Sequence, residues 1–567
     1  MTGSGFRVRF PGQALGPHDG SAAEDRATQY PTVVSRPFPV RGVIEGFYGE
    51  PWSNRARVGA ITFLAARGMN AYVYAPKSDP LHRDRWREPY APSQLLEFRD
   101  LADACRGCDT RFGFAISPGL DIEYGAERDR DTLVAKVAPL TDAGVDWIIL
   151  ALDDIEPRPG LAAEQGALTT WLRDAIEPGV RISVVPTEYV GTHPTPYLVE
   201  LSAALPPEVD VFWTGPTVCS PTITAVDARS WRAAIGGRPL LVWDNYPVND
   251  AVMEHELHLG PYRGRDPDLA DVVDGVLCNP MIQPRASLVA LATAADFLSD
   301  PDAYNEDESW HRAIPAVGGD RSDALLAIAR ACSDGPLSRP EELPLYGLVV
   351  ALADELEGPG WPGPLERVRD ELQAVCSAAV AWRDAPDDPL GHELAPWLRQ
   401  AAREGEAGLA ALRLLQQVRP IAALDAEGSG RAAAPDAELA LTQCFTLLFM
   451  WTAAREASRE IVFGPRFGLH AAIVQLDDGR PALDVALAVR EDASVIDRLA
   501  RLALEHYERW TTGSAGELRM MVDGSEIALE PDGRLQCQPG SVVLARAGAW
   551  ATRVTEATPP FHDPRLR

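Results

Sequence analysis

The sequence predicts an α/β protein in which a (β/α)8 TIM barrel is followed by a helical bundle and a small C-terminal α+β domain. Eight short apolar runs alternate with helix-like stretches over residues 39–299, and this number and length are typical of such a barrel. Apolar residues then recur at helical spacing over residues 300–462. Strand-like pieces around turn signals return in residues 463–567.

The barrel prediction depends on the eight runs, each of which is apolar and closed by polar or turn-forming residues. In chain order they are RGVIEGFYG, NAYVYAPK, RFGFAISPG, WIILALDD, RISVVPTEY, VDVFWTG, PLLVWDNYP and DGVLCNPMI. Helical patterns such as VGAITFLAARG and TLVAKVAPLTDAG stand between them. In a barrel of this kind, the residues that close the strands line the functional face.

The segments outside the barrel predict no chemistry. Residues 1–38 are polar and show no period, so we expect a loosely docked segment. Stretches such as PWLRQAAREGEAGLAALRLLQQV predict helices in residues 300–462, and breakers such as EGPGWPGP divide them. Residues 463–567 combine an amphipathic helix at SVIDRLARLALEHYERW with strands around MMVDGSEIAL.

The charge balance restricts the partners. The 567 residues include 53 Lys and Arg against 82 Asp and Glu, a formal net charge of −29. That charge disfavours electrostatic binding of nucleic acid or of an anionic membrane. The first residues lack the apolar stretch of a secretory signal, and no later run reaches the ~20 apolar residues of a membrane span. We therefore expect a soluble, cytoplasmic protein with neutral or cationic partners.

Two adjacent carboxylates, Asp153 and Asp154, end the apolar run WIILALDDIEP. Neighbouring carboxylates repel each other unless a ligand, a proton or a cation uses them. The pair could bind a divalent cation together with Glu156, or one Asp could cap the next turn while the other is solvated. It could also hydrolyse a glycosidic bond, which needs one carboxylic acid and a second carboxylate. Trp and Tyr at the strand ends favour the last interpretation, because sugars present apolar faces to aromatic rings.

Two short motifs resemble metal-binding patterns without matching them. His255 and His258 stand three residues apart, which is not the spacing of the H-E-x-x-H zinc peptidases. Cys105 and Cys108 form an isolated C-x-x-C with no partner pair. We therefore predict no metal site.

Across residues 41–298 the segments that close the strands resemble those of glycoside hydrolase family 84, the protein O-GlcNAcases and related β-N-acetylglucosaminidases. The matching segments are GVIEGFYGEPW, AYVYAPKSDPLHRDRWREPY, AISPGLDI, ALDDIEP, PTEYVGT, FWTGPTVCS, VWDNYPVND, LGPYRGR and LCNPMIQP. The resemblance implies retaining, substrate-assisted catalysis, in which the 2-acetamido oxygen of the sugar attacks C1 to give an oxazoline.

The resemblance gives the two aspartates different roles. Asp153 would orient and polarise the acetamido N–H, while Asp154 would protonate the departing oxygen and later activate water. An ionised Asp153 would stabilise the positive charge that develops on the cyclising acetamido group. Asp154 would have to carry a proton at the start, and we expect the negative charge of its neighbour to help keep it protonated.

By the same resemblance, eight further residues bind the sugar. Singly, each has an ordinary structural interpretation: a lysine is usually solvated, and an asparagine often caps a helix or turn. Their convergence on the strand ends favours the functional interpretation. The predicted binding residues are Gly46, Lys77, Tyr189, Thr214, Trp243, Asn245, Asp250 and Asn279.

The leading hypothesis is an exo-acting β-N-acetylglucosaminidase that removes O-linked GlcNAc from Ser or Thr and uses no cofactor. Its substrate would be a terminal β-GlcNAc on a protein, peptide or glycan, and the helical region would support a homodimer. One alternative is a family 18-like chitinase, because Asp154-Ile155-Glu156 imitates D-x-E, although the fuller D-G-x-D-x-D-x-E run is missing. The other is a non-catalytic protein that binds N-acetylated sugars, which would not need two adjacent carboxylates.

Overall fold

Eight short strands pair in parallel and close on themselves in the order β1 to β8. The computed structural model describes residues 36–338, 342–356, 363–418, 437–464, 467–475, 481–489, 494–512, 519–522, 525–527, 543–547 and 550–554. The N-terminal segment predicted for residues 1–38 lies, up to residue 35, outside the described residues. The barrel strands are β1 Val40–Glu45, β2 Ala71–Tyr74, β3 Arg111–Ile116, β4 Trp147–Ala151, β5 Arg181–Val185, β6 Asp210–Trp213, β7 Leu240–Asp244 and β8 Gly275–Cys278.

The barrel closes where β1 pairs with β8, with Val40 opposite Gly275. Strands such as β4 and β7 are buried along their whole length, as expected when helices cover one face and the barrel interior the other. Large side chains such as Trp147 and Phe212 fill that interior. The predicted (β/α)8 barrel is confirmed.

Seven α-helices surround the barrel. They are α1 Asn54–Ala65, α2 Pro92–Gly107, α3 Glu127–Asp142, α4 Leu161–Ala175, α5 Pro196–Ala204, α6 Ala225–Ala234 and α7 Pro284–Ser299. Side chains of Ser53, Thr195 and Thr224 cap α1, α5 and α6 by accepting backbone N–H groups. The connection from β7 to β8 has only two short 3₁₀ helices, Ala251–Met253 and Pro267–Asp271, so this unit lacks the α-helix that a regular repeat would place there.

A second core belongs to the helices that follow the barrel. They are α8 Glu306–Gly318, α9 Ser322–Ala331, α10 Pro344–Leu356, α11 Pro364–Arg383, α12 Pro389–Val418 and α13 Ala437–Glu456. This core also contains Leu257, Leu259 and Met281, which come from the loops after β7 and β8. The Trp310 and Trp397 indoles donate to the carbonyls of Leu259 and His255. The helical region is therefore packed against the barrel.

The remaining described elements come after residue 464. They are β9 Phe467–Gln475, β10 Pro481–Val489, α14 Val495–Thr512, β11 Arg519–Val522, β12 Ser525–Ile527, β13 Val543–Ala547 and β14 Trp550–Val554. The strands pair into a two-stranded and a four-stranded sheet. Buried side chains of α14, among them Ile496 and Leu499, join the core of the helical region. The domain boundaries given above stay a prediction.

Candidate active site

The predicted site residues collect at one end of the barrel, because parallel strands end on the same face. Asp153 and Asp154 follow β4, and Gly46 and Asn279 come directly after β1 and β8. Every strand except β3 carries or is followed by at least one of the predicted residues. The others are Lys77 after β2, Tyr189 after β5, Thr214 after β6, and Trp243, Asn245 and Asp250 in and after β7.

The two aspartates converge because regular strand geometry stops before them. β4 ends at Ala151, and Asp154 has a φ of +52°, in the left-handed region that few non-glycine residues adopt. The Lys77 ammonium lies 2.6 Å from Asp153 Oδ2 and 3.7 Å from Asp154 Oδ2. One cation therefore faces both carboxylates.

Asp153 is the more buried member of the pair. Its side chain is 9% exposed and that of Lys77 is 3% exposed, so their ion pair is shielded from water. Asp153 Oδ1 is also buried, and it has no hydrogen-bond partner among the described residues. A buried carboxylate oxygen without a donor is costly, so this oxygen is available to accept a hydrogen bond.

Asp154 lies nearer the surface and has more donors around it. Its Oδ2 accepts hydrogen bonds from the Tyr48 hydroxyl at 2.8 Å and from Arg83 at 3.4 Å, while Oδ1 faces the Tyr189 hydroxyl at 3.3 Å. Burial raises the pKa of Asp154, but Lys77, Tyr48 and Arg83 together outweigh burial and hold the pKa below its ordinary value.

This direction corrects one expectation. We expected the charge of Asp153 to raise the pKa of Asp154 and keep it protonated, but the groups around Asp154 hold its pKa below the ordinary value. The physical reason is that two cations and a hydroxyl donor surround the pair, and the sequence does not reveal how close they are.

Hydrogen bonds link the ends of β1, β7 and β8 into one wall of the site. The Gly46 N–H donates to Asn279 Oδ1 at 3.0 Å, and Asn279 Nδ2 donates to Asn245 Oδ1 at 3.0 Å. Trp243 Nε1 donates to the same Asn245 oxygen at 2.9 Å. A Cβ atom at Gly46 would lie 2.2 Å from the Trp243 ring, so only glycine fits there. The Lys77 ammonium lies 5.9 Å from the centre of the Trp243 ring, which joins this wall to the aspartates.

Asp250 and Thr214 complete the ring of strand ends. Asp250 Oδ2 accepts the backbone N–H of Tyr48 at 2.6 Å. Burial raises the pKa of Asp250, and the Tyr48 N–H opposes that effect. Thr214 donates its backbone N–H to the Tyr189 carbonyl at 3.0 Å and so links the ends of β5 and β6.

The LGPYRGR segment supports the residues at the end of β7. Arg265 forms a buried ion pair with Asp244, the last residue of β7, and Tyr262 donates its hydroxyl to the same carboxylate at 2.5 Å. Because Trp243 and Asn245 flank Asp244 in the chain, this clamp fixes both of them. It explains a segment to which the sequence alone gave no role.

Tyr48 and Arg83 were not predicted as site residues. Tyr48 belongs to the EGFYGEPW segment immediately after β1, so its position at a strand end was the available signal. Arg83 lies in the long loop between β2 and α2, and nothing in the sequence indicates that this loop turns back towards Asp154. The contacts of Arg83 with Asp154 and Tyr48 form only when the loop folds, so the spacing of these residues in the sequence does not indicate them.

The segment that contains His255 and His258 makes contacts within the protein. His258 is buried, and its Nε2 lies 2.8 Å from Glu256 Oε2. Within the described ranges, no group of three or more His, Cys, Asp or Glu is arranged to hold a metal ion. None of the described helices has the length and apolar character needed to span a bilayer.

A (β/α)8 barrel with paired carboxylates after its fourth strand and a Trp- and Asn-lined wall is typical of glycoside hydrolases. Comparison with known families agrees. The model of the family described as β-N-acetylglucosaminidase, NAGidase, matches residues 41–330. The chain belongs to this family, glycoside hydrolase family 84.

Individual relatives give the same result. The chain is 34% identical over 269 residues to the Protein O-GlcNAcase of Rattus norvegicus and to that of Mus musculus, covering 45% of this chain and 29% of each relative. A mutant O-GlcNAc hydrolase of Thermobaculum terrenum superposes with a TM-score of 0.69 at 29% identity, covering 84% of this chain and 97% of that one. CpGH84B superposes with a TM-score of 0.67 at 28% identity, covering 75% of each chain.

Proposed function

We propose that this protein is a retaining exo-β-N-acetylglucosaminidase that uses the 2-acetamido group of its substrate as the nucleophile. The observation that carries the proposal is the unequal environment of the two aspartates. Asp153 is buried against Lys77 with one oxygen unpartnered, while Asp154 is 30% exposed and has hydroxyl and guanidinium donors. Two carboxyl groups with different surroundings can take different roles in one reaction.

In the first step, Asp153 Oδ1 accepts the acetamido N–H of the bound sugar. Its negative charge stabilises the positive charge that develops as the acetamido oxygen attacks C1, and Lys77 holds the carboxylate in place. Asp154, once protonated, gives its proton to the glycosidic oxygen as the C1–O bond breaks. The products are an oxazolinium ion, whose N–H stays hydrogen-bonded to the Asp153 carboxylate, and the leaving group as a free alcohol.

In the second step, Asp154 acts as a base. It removes a proton from water as the water oxygen attacks C1 and the oxazoline opens, which restores the acetamido group with net retention. The donors around Asp154 favour its ionised form, the form needed here. We expect Asn245, Asn279 and Asp250 to hold the sugar hydroxyls and Trp243 to lie against the acetyl group.

The proposed substrate is a terminal β-GlcNAc, including GlcNAc linked to Ser or Thr of a protein or peptide. The names of the relatives support this choice, as does the collection of the predicted site residues at one end of the closed barrel. We propose a GlcNAc-bearing protein or peptide as the partner. The homodimer and the cytoplasmic location expected from the sequence stay predictions.

Acetamido participation is tested with substrates whose N-acetyl group carries one, two or three fluorine atoms. Each fluorine weakens the nucleophilic oxygen, so kcat/KM should fall steeply and monotonically along the series. A flat series would contradict substrate assistance. Release of GlcNAc from a Ser-linked glycopeptide tests the substrate class, and cleavage only within chitin oligosaccharides would favour the chitinase alternative instead.

A further inference from the structure

Asp154 is held from the solvent side by two residues to which neither the sequence nor the proposed mechanism assigns a role. The Tyr48 hydroxyl donates to Asp154 Oδ2 at 2.8 Å and accepts from Arg83 at 3.1 Å. Arg83 itself reaches the same Oδ2 at 3.4 Å. Tyr48, Arg83 and Asp154 thus form a closed triangle of polar contacts that joins the loops after β1, β2 and β4.

From this geometry we propose that Tyr48 and Arg83 are positioning residues for Asp154, which fix its carboxylate and control when it carries its proton. This inference rests on the function proposed above and deepens it. Tyr48 and Arg83 both donate to Oδ2 of Asp154. A proton bound to Oδ2 would therefore compete with these two donors. A protonated Oδ2 requires the Tyr48 hydroxyl to turn away or to become an acceptor.

The surroundings of Tyr48 show that its hydroxyl is more than a packing contact. Tyr48 is 44% exposed, so its ring contributes little to the core. Its hydroxyl nevertheless points to a carboxylate, and its backbone N–H is fixed by Asp250 at 2.6 Å. Burial and the charge of Asp154 raise the pKa of Tyr48, so the hydroxyl stays a donor.

Asp154 also needs external support because its backbone is strained. Asp154 has a φ of +52°, a strained conformation for a non-glycine residue that persists only when the surrounding structure fixes it. Tyr48 and Arg83 supply two of the contacts that do so. Their loss would loosen the carboxylate as well as change its charge state.

The groups that face Asp154 are few and can be tested separately. Lys77 and Arg83 come from the β2 loop, Tyr48 from the β1 loop and Tyr189 from the β5 loop. Two carboxylates oppose them, Asp153 beside it in the chain and Asp250 after β7. Of the donors, Tyr48 and Arg83 are the ones outside the predicted sugar-binding set.

The test is the pH profile of kcat on phenyl N-acetyl-β-D-glucosaminide, whose poor leaving group requires the acid. The basic limb of kcat reports loss of the proton from Asp154 in the enzyme–substrate complex. Tyr48→Phe and Arg83→Gln each remove a group that favours the ionised form, so the basic limb should move to higher pH by about one unit. Arg83→Lys, which keeps the charge but not the planar fork, should restore part of the wild-type profile.

Matched variants separate this effect from general damage. Arg85→Gln changes an arginine whose side chain is 55% exposed and pairs with Glu88. Tyr304→Phe removes a hydroxyl that donates to the Tyr262 carbonyl at 2.6 Å, away from the aspartates. Both controls should keep the wild-type limb, and thermal melting should show that all variants are folded.

The outcomes distinguish this inference from the proposed function. A wild-type enzyme that hydrolyses the substrate, with variants whose activity falls at every pH while the basic limb stays in place, would overturn the positioning role. A limb that moves in Tyr48→Phe and Arg83→Gln but not in the controls supports it. A folded wild-type protein without any turnover would overturn the proposed function, and the inference with it.

Discussion

Asp153 and Asp154 are neighbours in the chain, yet their side chains lie in different environments. Asp153 is paired with a buried lysine, and Asp154 has a strained backbone and four polar neighbours. The difference arises because β4 ends two residues before the pair. A regular strand would have sent the two side chains to opposite faces.

Asp154→Ala should lower kcat/KM about 10²- to 10⁴-fold on substrates with poor leaving groups, because the departing oxygen then receives no proton. The loss should be smaller on 4-nitrophenyl glycosides, whose leaving group needs little help. A series of aryl N-acetyl-β-D-glucosaminides of increasing leaving-group pKa measures this. Equal losses along the whole series would contradict the assignment of Asp154 as the acid.

Gly46→Ala should reduce activity at least ~10-fold and destabilise the fold by about 1–3 kcal/mol, because the new methyl group would overlap the Trp243 ring. Displacing that ring also disturbs its hydrogen bond to Asn245. Gly59→Ala is the matched control, since Gly59 lies in α1 with no atom within 4 Å of the added Cβ. Urea unfolding and kcat/KM should separate the two variants, and similar behaviour would refute the steric argument.

At the level of residues, the sequence predicts a site because the polar residues cluster at the ends of apolar runs. It does not reveal the charge state of Asp154, which depends on distances of 2.8 to 3.7 Å to groups from three other segments. Tyr48 and Arg83 escaped prediction for the same reason. Their spacing in the chain carries no information about the contacts between the folded loops.

Among the elements, α12 connects the helical region to the barrel at one charged residue. Glu393 Oε2 accepts the backbone N–H groups of Arg285 and Ala286, at 2.8 and 2.9 Å, at the start of α7. Burial raises the pKa of Glu393 to about 7 despite these donors. A carboxylate would be favourable at a helix N-terminus, but here burial dominates.

This raised pKa predicts a pH-dependent stability. The folded protein retains the Glu393 proton up to about pH 7, whereas the unfolded chain releases it near the ordinary value of 4.5. Stability therefore falls as the pH rises between these two values. Glu393→Gln removes the penalty and keeps an acceptor, so it should be more stable than wild type by about 1 kcal/mol at pH 8.

Chemical unfolding at pH 4 and pH 8 measures this effect. The difference between Glu393→Gln and wild type should be absent at pH 4 and present at pH 8. The control is Glu366→Gln, in α11, because the Glu366 side chain is 57% exposed. A Glu393→Gln variant that is less stable than wild type at pH 8 would show that the helix N-terminus outweighs burial.

The elements were largely predictable where apolar runs are short and bounded. All eight barrel strands fall within the predicted runs or begin one residue before them, because turn-forming residues mark both ends. The missing helix between β7 and β8 was not foreseen, since apolar periodicity shows where a helix is possible but not where a loop replaces it. The packing of α14 against α12 was also not predicted, because the apolar face of an amphipathic helix does not indicate which element it packs against.

At the scale of the whole molecule, the barrel and the helical region share a buried apolar contact. Leu257, Leu259 and Met281 are fully buried, and they belong to the helical core although they lie in barrel loops. The carbonyl of His255 also accepts the Ile461 backbone N–H at 2.8 Å. The helical region therefore shields the loop that carries Asp250.

A chain ending after residue 300 should aggregate, because these three apolar side chains would be exposed together. A chain ending after residue 512 keeps the helices that cover them and is the control. Size-exclusion chromatography of both chains beside the full protein measures the effect. A monomeric, active barrel from the shorter chain would contradict the structural role of the helical region.

We propose that Asp153 and Asp154 together hydrolyse a β-GlcNAc linkage. The most direct test is release of 4-nitrophenol from its N-acetyl-β-D-glucosaminide by wild type, Asp153→Asn and Asp154→Asn. We expect steady turnover by the wild type, strongly reduced turnover by Asp153→Asn and a smaller but clear reduction by Asp154→Asn, because 4-nitrophenol needs little protonation to leave, with unchanged folding of all three. A folded wild-type protein that binds the sugar but never releases 4-nitrophenol would refute this proposal and favour a sugar-binding protein.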